Sequence, residues 1–509
     1  MFLMLAKVLS GANLGLNSTP VTIEVDIASQ GLPSFSIVGL GDKAIDESKE
    51  RVRSALRNSG ADFPPKRITV NLAPADLPKE GPLYDLGIAV GILIGSGQLE
   101  KVEEDILYVG ELSLDGSLRY THGVLPLTIL AKKLGLKKII IPKDNAVEAA
   151  IIDGVKIYGF ENLKDVVSFL NKSVSFTPQP KTKINLEKEG LYEYDFSQIK
   201  GQEQSKRALE IAAAGAHNVL LKGPPGAGKT MLARTFPSIL PSLSLDEALE
   251  ITQIYSVSGN LSKDEAIIKT RPFRAPHHTA SYVGIIGGGN NIKPGEVSLS
   301  HRGVLFLDEL PEFPRQVLES LRQPLEDRHV VISRASGSLS FPAQFILLAA
   351  QNPCPCGFLG DIKKSCICMP GQVSRYQKKL SGPLLDRIDI HLDVPAVDVE
   401  KLTGDLKSET SKEIKKRVEK TRKIQSKRFA GTGILTNSEM NNSQIKQFCT
   451  IKKEALDLLK LAIVQMNLSA RSYHRILKLS RTIADLADSE HIEQHHIAEA
   501  LQYRAKSDA

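Results

Sequence analysis

The stretch LLKGPPGAGKT carries Gly223, Pro224, Pro225, Gly226, Ala227, Gly228, Lys229 and Thr230 in the spacing G-x-x-x-x-G-K-[ST]. Glycines so placed let backbone N–H groups curl around phosphate oxygens, and the start of a following helix adds the positive end of its dipole. The lysine then reaches the β- and γ-phosphates of ATP, and the threonine hydroxyl holds Mg²⁺. An apolar strand before the motif (HNVLLKG) and a helix after it supply the context that a chance glycine-rich turn lacks. Further along, GVLFLDEL brings Asp308 to the end of an apolar strand, where its carboxylate can join the Mg²⁺ shell. Glu309 beside it can orient and polarise an attacking water, which turns nucleotide binding into hydrolysis. Asn352 ends the apolar strand FILLAAQN, with its amide expected at the γ-phosphate or the water. GPLLDRIDIHLDV sets Arg387 between a short helix and the next strand. Two readings of Arg387 stand open: an arginine finger that reaches a neighbouring subunit's γ-phosphate in a ring, or a local ion pair with Asp386 or Asp389.

Four of the five cysteines crowd into one loop, as Cys354, Cys356, Cys366 and Cys368 in QNPCPCGFLGDIKKSCICMPGQ. Two C-x-C pairs separated by a loop containing Gly357 and Gly360 can close a tetrahedral S₄ shell, the geometry of structural Zn²⁺. Zinc is the expected occupant. The spacing departs from the commoner C-x₂-C knuckle, and free thiols, a redox switch and an iron–sulfur cluster stay open. Lys363 and Lys364 lie at the tip of this loop, and Cys449, on its own, reads as a small apolar filler.

These residues need elements to hold them. From the start to about Leu170, short β-rich runs (VTIEVDI, SFSIVGL, RITVNLA, KKIIIP) alternate with helical stretches such as DESKERVRSALRNSG, which predicts an α+β or α/β domain. NKSVSFTPQPKTKINLEKEG is polar, holds two prolines and lacks apolar periodicity, the pattern of a linker. From about Asp195 to Val394, short fully apolar strands predict a parallel sheet covered on both faces. Beyond Val394 the pattern is helical throughout. The expected domains are 1–170, a linker at 171–194, an ATPase core at 195–395 and a helical lid at 396–509.

The chain has 509 residues, no tryptophan and a net charge of +7, which permits nucleic-acid binding without requiring it. No apolar run approaches the roughly 20 residues of a membrane helix. Lys7 interrupts the apolar start, so MFLMLAKVLSGANLG reads as a first strand rather than a secretory signal. A soluble, cytoplasmic protein with no membrane partner is expected, and there thiols stay reduced.

From Phe196 onward the chain resembles the AAA+ family, in the branch of the magnesium chelatase I subunit; GPPGAGKT, LFLDEL and GPLLDRID carry the likeness. In that family an arginine opening a lid helix senses nucleotide, and LSARSYHRILKLSRTIADLA puts Arg471 there, with Arg475 and Arg481 as weaker candidates on the same helix. Two inserts are expected to be hairpins: one around Gly287, Gly288, Gly289 and Lys293, the other EDRHVVISRASGSLSFPAQ with Arg334 near its tip. In the chelatase-related branch such hairpins project into a central channel, where Lys293 and Arg334 would track a phosphate backbone; ordinary exposed charge is the other reading. His277 and His278 lack an obvious third metal ligand, and a structural or nucleotide-proximal role is expected of them. A basic run from Lys412 to Arg428 offers a polyanion-facing surface with few aromatic residues nearby, which suits backbone contact rather than base reading.

The first domain resembles the protease domain of the Lon family through NLAPADLPKEGPLYDLGIAVGIL and YVGELSLDGSLRYTHGVLPLTILAKKLGLKKIIIP. The resemblance places Leu83 and Leu125 where that family has its nucleophilic serine and activating lysine, and neither leucine can do that chemistry. Ser54, Ser59 or Lys79 could substitute only through a different geometry, so assembly or DNA contact is expected instead of proteolysis. A Lon-like domain without its dyad ahead of a chelatase-type AAA+ core resembles the ComM/YifB family over nearly the whole chain. The resemblance implies a hexameric, ATP-driven DNA motor of branch migration in natural transformation; a metal-stiffened cysteine loop is expected to set its tip, with Lys363 and Lys364, against DNA or a neighbour. A metal-insertion ATPase subunit and a protein remodeller that does not act on DNA are the rival classes. The fold class expected is multidomain α/β: a Lon protease-like α+β domain, an AAA+ P-loop core and a C-terminal α-helical lid.

Overall fold

Apolar and polar residues alternate through TPVTIEVDI, and the strand they form, Asn17–Ala28, turns Val21, Ile23 and Val25 into the core. It belongs to a seven-stranded mixed sheet. In chain order the strands are β1 (Ala6–Leu14), β2 (Asn17–Ala28), β3 (Ser34–Val38), β4 (Arg67–Ala73), β5 (Ile106–Tyr108), β6 (Lys138–Pro142) and β7 (Lys156–Phe160). They lie side by side as β3-β4-β2-β1-β5-β6-β7. β1 is a strand, as its sequence predicts, and pairs antiparallel with β2 from Ala6 against Val25 to Leu14 against Asn17.

This computed structural model describes the chain apart from residues 1–4, 29, 40, 42, 101–102, 187–191, 263–264, 290–291, 335–336, 362–363, 397–407, 467 and 505–509, and apart from the side chains of 334 and 337. Two compact units emerge, and they do not follow chain order. The first comprises Met1–Asn185, Leu245–Ile268 and Gly289–Lys293; the second comprises Leu186–Ser244, Lys269–Gly288 and Pro294–Ala509. No helix among the described residues is long and apolar enough to cross a membrane.

In the first unit, α1 (Lys43–Asn58) and α2 (Asp85–Gly95), buried from Asp85 to Ile94 and apolar after Asp85, cover the sheet. Asp85 opens α2 fully buried and meets Arg51 of α1, Nε to Oδ2, at 2.7 Å. Burial pushes its carboxyl up to about 6, against the opposing pull of Arg51. Leu83 and Leu125 are both buried. Lys79 is buried too, and its ammonium donates to the Pro74 carbonyl; burial lowers its pKa. The helix Leu245–Ser258 joins this unit through Glu148, a buried carboxylate that accepts from Ser256 Oγ at 2.5 Å and from Leu125 N and Asn145 Nδ2, each at 3.2 Å. Burial raises the Glu148 pKa despite those donors.

The second unit is built on five parallel strands: β8 (Val219–Lys222), β9 (Phe273–Arg274), β10 (Val304–Leu307), β13 (Ile346–Gln351) and β14 (Ile390–Asp393), in the order β9-β10-β13-β8-β14. Between β10 and β13 the chain makes an antiparallel hairpin, β11 (His329–Arg334) and β12 (Gly337–Pro342), in the place the sequence predicts one. Successive residues of the central strands face opposite cores. Val219, Leu221, Phe306 and Leu348 pack with helices α3 (Glu203–Gly215), α5 (Ser411–Arg428) and α6 (Ala470–Leu486). Leu220, Leu305, Leu307 and Leu347 pack on the other side with Ile285, Leu318 and Leu384. Apolar residues on both faces explain why these strands read as continuous apolar runs rather than alternating ones.

The basic run from Lys412 to Arg428 is partly consumed by partners within the chain, while Lys412, Lys416, Lys423 and Lys427 stay exposed. Arg417 binds Glu210 and Glu409, Lys420 binds Asp488, Arg428 binds Asp485, and Arg422 donates to the Ala213 carbonyl. An amphipathic helix that buries Ile414 and Val418 must dock one flank of its charged face, and carboxylates distant in sequence meet it there.

Candidate active site

The register of the parallel sheet decides which side chains meet. Lys222 at the end of β8 pairs with Gln351 at the end of β13, and Leu307 at the end of β10 lies beside Ala349 of β13. The next residues along the three strands are therefore Gly223, Asn352 and Asp308, all at the carboxyl edge of the sheet, where open α/β sheets bind their ligands.

The loop from Gly223 to Gly228 leads into α4 (Lys229–Thr235). Gly226 and Gly228 have φ of +78° and +86°, a left-handed backbone that other residues enter only at a cost. Lys229 is buried, and its ammonium donates to the carbonyls of Gly223 at 2.7 Å and Pro224 at 2.9 Å and to Asn352 Oδ1 at 3.1 Å. Burial pulls its pKa below the ordinary lysine value, and Asp308 and Glu309 pull it back up. Thr230 Oγ1 donates to Asp308 Oδ2 at 2.9 Å, so a hydroxyl at the start of α4 and the carboxylate after β10 share one point. Such an oxygen pair suits a hard divalent cation such as Mg²⁺, which keeps most of its water and takes few protein ligands.

Glu309 follows with φ of +52°, a left-handed conformation for a residue with a full side chain. Strain of this kind concentrates at functional sites, and here it presents the carboxylate beside the phosphate loop's partner residues. Its backbone N–H donates to Asp308 Oδ1 at 2.9 Å, and its Oε2 lies 3.4 Å from His278 Nδ1. His278 is thus drawn to the site from the insert, with its ring 4.0 Å from that of His277. Sequence spacing does not reveal this contact, because the insert returns to β10 through a loop of no fixed period.

Arg387 stands apart from this cluster. Its guanidinium donates through Nε to the Arg322 carbonyl at 3.1 Å, through Nη1 to the Pro383 carbonyl at 2.6 Å, and through Nη2 to Glu326. The local ion-pair reading named Asp386 or Asp389, whereas the carboxylate on Arg387 is Glu326. Arg387 and Glu326 line a cavity of about 500 Å³ together with Tyr282, Glu319, Gln323 and Asp327. Asp389 is committed elsewhere, to Arg475 Nη1 at 2.9 Å and His217 Nδ1 at 3.2 Å. Burial would raise its carboxyl, but the Arg475 cation and the His217 hydrogen bond hold it well below the usual carboxylate range.

Arg471 is exposed on the first turn of α6, after the Ser469 cap. Arg475 and Arg481 of the same helix are tied to Asp389 and Asp485. Lys293 is exposed in the ribbon of the first insert, and Arg334 ends β11 with its side chain outside the described residues. Lys363 lies outside the described residues, and Lys364 sits over the Phe358 ring at 5.0 Å from its centroid.

The four clustered cysteines converge. Cys354 Sγ lies 3.4 Å from Cys356 Sγ and 3.6 Å from Cys366 Sγ, and Cys356 Sγ lies 3.6 Å from Cys366 Sγ. All four sulfurs fall within 4.8 Å of one another, and none is in a disulfide. A tetrahedral zinc with bonds of about 2.3 Å asks for sulfurs roughly 3.8 Å apart, so the donor set fits. Cys449 is buried in the helical tail, as a small apolar filler would be, and burial pushes its thiol up to about 12.

Comparison with known proteins agrees with this layout. Residues 195–402 match the family model "Magnesium chelatase, subunit ChlI", residues 23–145 match "Subunit ChlI of Mg-chelatase", and residues 408–504 match "Magnesium chelatase, subunit ChlI C-terminal". The competence protein ComM of Haemophilus influenzae is 46% identical over 507 residues, 98% of this chain and 97% of that one. YifB of Escherichia coli is 44% identical over 499 residues, 97% of this chain and 96% of that one. Lon protease 2 of Bacillus subtilis is 30% identical over 163 residues, 28% of this chain and 29% of that one. With near-complete coverage at that identity, the chain belongs to the ComM/YifB family of magnesium chelatase-like AAA+ proteins.

Proposed function

We propose that this chain is an ATP-driven motor that acts on single-stranded or branched DNA as a homo-hexamer, in the manner of a helicase or branch-migration enzyme. The observation that carries the ATPase part is the meeting of Lys229, Thr230, Asp308 and Asn352 at one strand edge with Glu309 beside them. Lys229 neutralises the β- and γ-phosphates of ATP, and the loop 223–228 cradles them with backbone N–H groups. Thr230 and Asp308 hold Mg²⁺, which when bound supplies charge neutralisation along the phosphate chain. Glu309 orients and polarises the attacking water, and His278 restrains the Glu309 carboxylate. Asn352 contacts the γ-phosphate or that water.

Arg387 acts in trans on the neighbouring subunit's γ-phosphate, after leaving Glu326. Arg471 senses nucleotide from the lid helix. Lys293, Arg334, Lys363 and Lys364 contact the DNA backbone. Cys354, Cys356, Cys366 and Cys368 hold a structural Zn²⁺. Leu83 and Leu125 leave the Lon-like domain, residues 1–170, without peptidase chemistry, and its task is assembly or DNA contact.

The DNA part rests on the near full-length likeness to a protein named for competence and on the exposed lysines of the inserts. Salt-dependent binding to single-stranded and forked DNA tests it. A steep fall in affinity between low and physiological salt is expected, because phosphate contacts release counterions. A metal-insertion subunit or a remodeller of proteins alone would show no such binding.

A further inference from the structure

The cysteine loop touches the phosphate loop. A Cβ added to Gly357 would stand 2.5 Å from Pro225 Cδ and 2.6 Å from Pro225 Cγ, closer than real side chains approach. The same Cβ would be 3.8 Å from Asn352 Cγ. Gly357 has φ of +85° and donates its N–H to the Cys354 carbonyl at 3.0 Å, so its position is set by the first C-x-C pair. Cys354 itself is fully buried two residues after Asn352, whose Oδ1 accepts from Lys229.

This loop cannot hold that position by apolar packing. Leu359, Ile367 and Met369 are 40%, 86% and 72% exposed. The groups at its centre are the four sulfurs, and a loop of this size folds around a metal rather than around a core. One end is fixed to β13, and the other runs into the helix Pro370–Gln377, whose Gln377 Nε2 donates to the Pro353 carbonyl at 3.4 Å.

We propose that a zinc ion held by Cys354, Cys356, Cys366 and Cys368 fixes Gly357 against Pro225, so that zinc occupancy sets the affinity of the phosphate loop for nucleotide. This rests on the nucleotide-binding reading of residues 223–230. Four thiols lose their protons to the solvent as the soft divalent cation binds, and no redox step is involved. With zinc bound, the loop is a fixed strut beneath Pro225 and beside Asn352. Without it, the strut is lost, and the 223–228 backbone gives up part of its phosphate-ready shape.

The test measures zinc content, melting temperature and the dissociation constant of a fluorescent ADP analogue on the same samples of full-length protein. The expected wild-type result is about one zinc per chain and ordinary nucleotide binding. Cys366→Ser is expected to lose the zinc and to bind the analogue about tenfold more weakly. Gly357→Ala is expected to keep its zinc yet weaken binding to a similar extent, since the added methyl pushes on Pro225. If Cys366→Ser does not fold, Gly357→Ala and zinc stripped from wild type by a chelator, then restored, decide the question. A zinc-free protein with a lowered melting temperature but an unchanged dissociation constant overturns the coupling and leaves the nucleotide reading standing. Zinc-loaded wild type that binds no nucleotide overturns the nucleotide reading. A wild-type protein that takes up no zinc, or carries iron with visible absorbance instead, overturns the metal assignment.

Discussion

Lys229 Nζ donates to Asn352 Oδ1 across 3.1 Å, which joins the phosphate-loop lysine to the end of the strand beside it. Two residues that are distant in sequence are neighbours because β8 and β13 are adjacent and in register. Their roles separate by mutation. Lys229→Ala removes the phosphate contact and is expected to abolish nucleotide binding. Asn352→Ala keeps the loop and the lysine, so affinity should change only a few-fold while kcat falls about a hundredfold, the cost of losing one preorganised polar contact to the reacting phosphate. Equilibrium binding and steady-state hydrolysis on the two variants check this.

Arg387 is buried against Glu326 within its own chain, and a role in trans has a distinctive signature. Arg387→Ala and Glu309→Gln should each lack hydrolysis when assayed alone. In an equal mixture, about a quarter of the sites in a randomly assembled ring pair an intact Glu309 with an intact donor arginine. Recovery of hydrolysis on mixing is therefore expected. Two inactive variants that stay inactive together would place Arg387 in a purely local role.

Asp389 ties the lid helix to the sheet through Arg475 and His217. Its carboxyl is held well below the unfolded value, so it contributes stability above about pH 4 and loses that contribution as pH falls further. Asp389→Asn leaves the half-buried Arg475 guanidinium uncompensated and should cost about 3 kcal/mol at neutral pH. The gap between wild type and variant should narrow as pH falls below about 4, measured by urea unfolding across that range.

Lys293 is exposed in the first insert. Lys293→Ala is expected to weaken DNA binding equally for different sequences and to flatten its salt dependence. Melting temperature should stay unchanged, because an exposed lysine adds little to folding. Fluorescence anisotropy with two unrelated oligonucleotides at several salt concentrations checks both points.

Much of this site is legible before any coordinates. Asp308, Glu309 and Asn352 follow the ends of apolar strands, Lys229 and Thr230 open the helix after a third, and the parallel sheet makes those ends neighbours. The cysteine cluster is legible because four ligands fall in a single loop. His278 beside Glu309, Glu326 on Arg387 and Gly357 against Pro225 are not, since each depends on how irregular segments return to the sheet. The ion pairs of the basic helix are hidden for a related reason: Glu210, Asp485 and Asp488 lie far away in sequence, so local charge density does not show that Arg417, Arg428 and Lys420 are paired.

Steady-state ATP hydrolysis, compared without DNA and with single-stranded DNA, forked duplex and a four-way junction, tests the central claim most directly. A motor acting on DNA predicts stimulation by one or more of these substrates, with hydrolysis abolished in Glu309→Gln while nucleotide binding survives. Hydrolysis indifferent to every DNA would contradict the account and point to a protein or metal-insertion substrate instead.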